Sequence, residues 1–155
     1  MLLDHYLREA IGKPGSASLK RARELAADGV FDPLVAELSA FGFVGIGTDE
    51  EVDVSCLYVL ELEPNSSVKV WISTILPYGC VAIYANGFFD RITDLSGEMG
   101  SLGRLRKVLE SNAIFLLSEE LCRAKSAYVD AATGEREPYF SVMFEFEVDP
   151  PWDAG

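Results

Sequence analysis

The sequence has a single histidine, His5. Any mechanism that pairs a serine or cysteine nucleophile with an imidazole would have to use it. His5 stands between Asp4 and Arg8 on a helical pattern, with no nucleophile beside it, and reads as a surface residue. Cysteine is also scarce. Cys56, Cys80 and Cys122 are an odd number at wide spacing. They offer no zinc pattern with one histidine and no disulfide framework, which fits a reducing compartment. Each reads as a small buried hydrophobe of the kind that is usually inert. Long apolar runs are missing too. None approaches the roughly 20 residues that span a bilayer, and the stretch from Val68 to Pro77 is interrupted by Lys69. The opening MLLDHYLREA carries Asp4, Arg8 and Glu9 where a signal peptide would be apolar. The expectation is a cytoplasmic protein without a membrane segment.

Basic residues are few: 13 Lys and Arg against 25 Asp and Glu, for a net charge of −12 over 155 residues. The imbalance is local. Residues 1–30 sum to +1, 31–100 to −9, 101–125 to +2 and 126–155 to −6. Such a field repels phosphate backbones, which argues against nucleic acid, and attracts a basic partner.

The length fits one domain over residues 1–155, with a sizeable core. Residues 1–42 read as a helical segment. Leu2, Leu3, Tyr6, Leu7, Ala10 and Ile11 mark one helix, broken at Lys13-Pro14-Gly15-Ser16. A second is expected from about Ser18 to Asp28. A third begins at Asp32-Pro33 and ends at Gly42.

The period then changes to two, and residues 48–149 read as a sheet with inserted helices. Glu51 to Glu63 places Val52, Val54, Cys56, Tyr58, Leu60 and Leu62 on one face. After the turn Pro64-Asn65-Ser66-Ser67, Val68 to Leu76 forms the next strand. Pairing Leu62 with Val68 and Glu61 with Lys69 keeps like faces together. Pro77-Tyr78-Gly79 leads into a third strand, Cys80 to Ala85, which Asn86-Gly87 ends. Phe88 to Gly100 reads as a connection. A helix is expected from about Ser101 to Ser111, with Asn112 as a left-handed cap, and a shorter one after Ser118. Ser126 to Asp130 and Tyr139 to Asp149 read as strands, the latter alternating throughout, and residues 150–155 as a tail. The fold class is α+β: a largely antiparallel five-stranded sheet with helices on one face, in the order helices, three strands, helix, two strands.

No motif carries recognisable chemistry. The glycines of GFVGIG (Gly42 to Gly47) lack the Lys-Ser/Thr of a phosphate loop, and Thr48 to Asp53 lacks the pattern of a calcium loop. No cofactor is expected. Asp90, Asp94 and Glu98 would share a face if helical. They make a carboxylate-based enzyme or small-ligand binder, with a pocket near Tyr78 and Tyr84, the competing reading.

The candidate partner-binding residues fall into three groups. Phe88, Phe89 and Trp152 are apolar residues in expected loops. Trp71 shares a half-polar face with Glu61 and Lys69, a face that a helix, a second subunit or a client would cover. Glu145, Glu147 and Asp149 line the acidic face of the last expected strand.

One stretch resembles a known family. Tyr84-Ala85 is followed by LRKVLESN (Leu105 to Asn112), then AYVDAATGE (Ala127 to Glu135), then the alternating segment. This order resembles class I type III secretion chaperones and the bacterial YbjN-like domains. The resemblance implies a small, acidic, homodimeric, non-enzymatic protein that holds an extended client. In size and acidity the chain is also similar to bacterial immunity proteins, which neutralise basic toxin domains. The functional expectation is therefore a non-enzymatic, protein-binding adaptor. Reversing Glu145 and Glu147 to Lys together is expected to weaken a partner complex and flatten its salt dependence, measured by titration calorimetry at two ionic strengths.

Overall fold

A computed structural model of the chain describes residues 2–11, 32–46, 55–62, 65–73, 77–145 and 149–153. The expected helix at 18–28, the Thr48–Asp53 run and Glu147 lie outside the described residues.

Among the described residues two helices come first. Helix α1 spans Leu2–Ile11 and buries Leu3 and Leu7, four residues apart on one stripe. Helix α2 spans Asp32–Phe41 and buries Leu34 and Leu38 in the same way. Gly42 ends it at φ +115, a left-handed value that costs glycine little.

Among the described residues the main sheet has six strands rather than five. They are β1 (Val44–Ile46), β2 (Ser55–Leu62), β3 (Ser66–Ser73), β4 (Tyr78–Ala85), β5 (Phe88–Thr93) and β6 (Phe115–Leu116). Strands β1 to β5 lie side by side in chain order, each antiparallel to the next. Strand β6 pairs with the start of β4 in parallel, beyond the reach of β5. The segment expected to be a connection is therefore β5. Its hairpin turns on Asn86 (φ +54) and Gly87 (φ +81), the two left-handed positions that a tight two-residue loop demands.

The β2–β3 register is two residues from the expected one. Leu62 faces Ser66, Leu60 faces Val68 and Leu57 faces Trp71. Lys69 is opposite Val59, not Glu61. A two-residue shift keeps every side chain on its expected face, so face pairing alone could not exclude it. Asn65 at φ +96 supplies the tighter turn.

Beyond the sheet come α3 (Gly100–Ser111), α4 (Glu119–Arg123), a separate hairpin of β7 (Lys125–Val129) and β8 (Arg136–Pro138), and α5 (Tyr139–Met143). Ser118 caps α4 as expected, accepting the Leu121 N–H at 3.2 Å. Asn112 does not cap α3 in the left-handed region. Ala113, at φ +58, makes that turn instead. The expected strand from Tyr139 is helical at its start. All five residues of α5 are buried, so no polar face marks its period.

The sheet is covered on both faces, not one. Val68, Val70 and Ile72 of β3 and Val81 of β4 meet α2 and α3. Trp71, Cys80 and Ala82 meet α1, α4, α5 and Tyr128 of β7. Asp4 ties α1 to this second layer: it accepts the Ala127 N–H at 3.3 Å and hydrogen-bonds the Tyr139 side chain. Among the described residues no helix is long and apolar enough to cross a membrane.

Burial pushes the phenols of Tyr84 and Tyr139 up to about 12, from an ordinary 10.0. The folded state therefore keeps them neutral where the unfolded chain ionises. Stability should be intact below pH ~10 and fall as pH rises from about 10 to about 12. Urea unfolding midpoints at pH 9 and pH 11 measure this, and Tyr139→Phe should reduce the difference.

Candidate functional site

The C-terminal layer carries an open cleft of about 580 Å³. Its walls come from the β7–β8 hairpin and its loop, α4, α5, and the tail segment Asp149–Asp153. The hairpin owes its shape to local hydrogen bonds. Asp130 Oδ1 accepts the Ala132 N–H at 2.7 Å, and the Gly134 N–H reaches the Asp130 carbonyl at 2.8 Å. Gly134 takes φ +73 there. Buried Ser126 locks the two strands by donating from Oγ to the Glu137 carbonyl at 2.8 Å.

Five acidic residues line the cleft, Asp130, Glu135, Glu137, Asp149 and Asp153, against three basic ones, Arg123, Lys125 and Arg136. Two of the three cations serve the protein itself. Arg136 donates from Nε to the Ser126 carbonyl and from Nη2 to the Lys125 carbonyl. The Arg123 guanidinium lies 4.6 Å over the Trp152 ring, a cation–π contact, and 3.8 Å from Glu119. The walls of the cleft therefore carry a formal excess of two negative charges.

Trp152 links this cleft to the core. Its ring meets Phe140 at 5.7 Å, and Phe140 meets Trp71 edge-on at 5.1 Å. The Trp71 indole in turn donates to Glu145 Oε1 at 2.8 Å. Three of the expected contact residues, Trp71, Glu145 and Trp152, are thus joined through one phenylalanine. Their roles differ from those expected. Trp71 is only 2% exposed, covered by α5, and cannot meet a partner. Glu145 follows that helix and uses a carboxylate oxygen to satisfy the buried indole. Asp149 and Trp152 do line the cleft.

The remaining expected residues lie elsewhere. Glu61 is exposed on β2, across from Ser67. Phe88 is 68% exposed at the tip of the β4–β5 hairpin, whereas Phe89 is half-buried and edge-on to Tyr84 at 6.0 Å. Asp90, Asp94 and Glu98 do not share a helix. Arg91 bridges Asp90 at 2.6 Å and Glu98 at 3.2 Å. Asp94 accepts the Ser96 N–H at 2.9 Å, which with Arg106 nearby holds its carboxyl below the usual range. Both contacts of Asp94 favour its ionised form. His5 is exposed on α1, 3.4 Å from Glu9. Among the described residues no three His, Cys, Asp or Glu side chains converge as metal ligands.

Sequence reasoning missed Arg123, Arg136 and the β7–β8 loop carboxylates. The signal that could have found them is the Asp130-to-Glu137 run itself, with three acids around one arginine. The chain matches no protein-family model, no curated protein and no solved structure.

Removing the Glu145 carboxylate should strand the indole N–H of a buried tryptophan. Glu145→Ala is expected to cost about 1–3 kcal/mol, read as a lower urea midpoint, with a shift in tryptophan emission before unfolding.

Proposed function

We propose that the domain is a non-enzymatic adaptor that receives a basic segment of another protein in the cleft between the β7–β8 hairpin and the C-terminal tail. The observation that carries this reading is the charge balance of that cleft. Five carboxylates line it, and two of its three cations are engaged by backbone carbonyls and by an aromatic ring. An incoming Lys or Arg finds carboxylate acceptors beside the half-buried Trp152 ring, over which Arg123 already lies. The surrounding net charge of −12 would steer such a partner towards the surface. Holding an extended client, as the resemblance to secretion chaperones implies, and neutralising a basic toxin domain are two uses to which this contact could be put.

Peptide-display selection against the intact chain tests it with a random library, so no partner has to be chosen beforehand. Selected peptides should be rich in Lys and Arg, and their affinity should fall as ionic strength rises. The double variant Asp149→Lys/Asp153→Lys should weaken them by at least about tenfold, which is ~1.4 kcal/mol, while Phe88→Ser leaves them unchanged. Apolar peptides that tolerate the cleft reversal but are lost with Phe88→Ser would overturn the proposal and move the contact to the hairpin tip.

A further inference from the structure

Two of the three cysteines meet, although 42 residues separate them in sequence. Cys80 lies on β4, in the sheet interior between β3 and β5, and Cys122 lies in α4, in the layer above it. Their Sγ atoms are 3.8 Å apart, and both residues are fully buried. Cys56 is half-buried on β2 and belongs to neither partner's element. We infer that Cys80 and Cys122 are a modification site: a dithiol that a hydroperoxide converts to a disulfide joining the central sheet to the C-terminal layer.

The geometry asks for little movement. A disulfide holds its sulfurs about 2.05 Å apart. The pair must therefore close by under about 2 Å, through side-chain rotation and a small shift of the helix. Helix α4 has five residues, so such a shift disturbs few backbone hydrogen bonds. In the reaction, the Cys122 thiolate attacks one peroxide oxygen. An S–O bond forms, the O–O bond breaks, and the departing oxygen takes a proton and leaves as water or an alcohol. Cys122 is then a sulfenic acid. The Cys80 sulfur next displaces its hydroxyl, forming the S–S bond and releasing water with the Cys80 proton. The peroxide gains two electrons and the dithiol loses two, so no other co-reactant is needed.

Packing sets how readily this happens. Burial, together with the neighbouring Cys122, pushes the Cys80 thiol well above its ordinary range. Both sulfurs are shielded from solvent while the layers are closed, so a peroxide should reach Cys122 through transient lifting of α4. That helix is held down by the Ser118 cap, by the Ile92 N–H donating to Glu119 at 3.0 Å, and by Arg123 on Trp152. Once formed, the bond would fix α4 on β4 and restrict the unfolded chain across the loop between the two cysteines. The inference is independent of the proposed partner.

The test uses the reduced full-length chain and hydrogen peroxide at neutral pH. After denaturation, free thiols are alkylated and the products mapped by mass spectrometry. The expected result is a linked peptide pair containing Cys80 and Cys122, with Cys56 alone alkylated. The oxidised protein should melt higher by roughly 5–15 °C, and low urea should speed the oxidation. Cys56→Ser should form the same link, which avoids substituting a core thiol. Three alkylatable thiols with no linked peptide would overturn the inference, as would a bridge to Cys56 or an oxidised form that melts no higher.

Discussion

The structure turns on the fact that β4 is apolar on both faces, while β3 is apolar on one and adds Trp71 to the other. Val68, Val70, Ile72 and Val81 point one way, while Trp71, Cys80 and Ala82 point the other. An antiparallel sheet often leaves one face to water. Here that would expose a tryptophan and much of β4, at about 25 cal/mol for each Å² of apolar surface left uncovered. Both faces therefore need a lid. Helices α2 and α3 close one, and α1, α4 and α5 close the other. The second lid carries the harder task, because the buried Trp71 indole needs an acceptor as well as contact. Glu145, just past α5, provides it.

That requirement explains the largest departure from the sequence pattern. Residues 139–149 alternate as faultlessly as any strand, yet Tyr139–Met143 are helical. In a short element buried on every side, alternation carries no information about period. As a helix, the segment brings Phe140 and Phe144 to one side, four residues apart, with rings 5.5 Å from each other. Phe140 can then meet Trp71 and Trp152 together. Tertiary demand outweighed local pattern.

Elsewhere the local chemistry was legible. The helices 2–11 and 32–41, the Gly42 stop and the Ser118 cap follow from residues whose effect is confined to one turn. The Asn86-Gly87 pair does more than end a strand. It is a hairpin signal, and Phe88 to Thr93 completes that hairpin. What could not be read was anything set by meetings between distant segments. The second covered face, the contact between Cys80 and Cys122, and the cleft around Trp152 each join elements brought together by the fold. Of the expected contact residues, Asp149 and Trp152 reach that cleft, because the tail folds over the aromatic cluster of the second layer. Trp71 and Glu145 do stand apart from their neighbours in sequence, but what sets them apart is an internal hydrogen bond.

The charge pattern is hard to explain by stability. Exposed ion pairs contribute about 0–1 kcal/mol each, and basic residues of α3 and α4 already form such pairs, Arg106 with Glu110 and Arg123 with Glu119. Acid beyond that adds self-repulsion to the folded state. Gathering Asp130, Glu135, Glu137, Asp149 and Asp153 around one cleft concentrates that repulsion where the chain turns back on itself. Arg123, Lys125 and Arg136 offset part of it, and the Arg136 guanidinium also donates to the carbonyls of Ser126 and Lys125. A surface selected for solubility alone would spread these charges. A basic partner of the kind proposed would remove part of the repulsion that folding left in place.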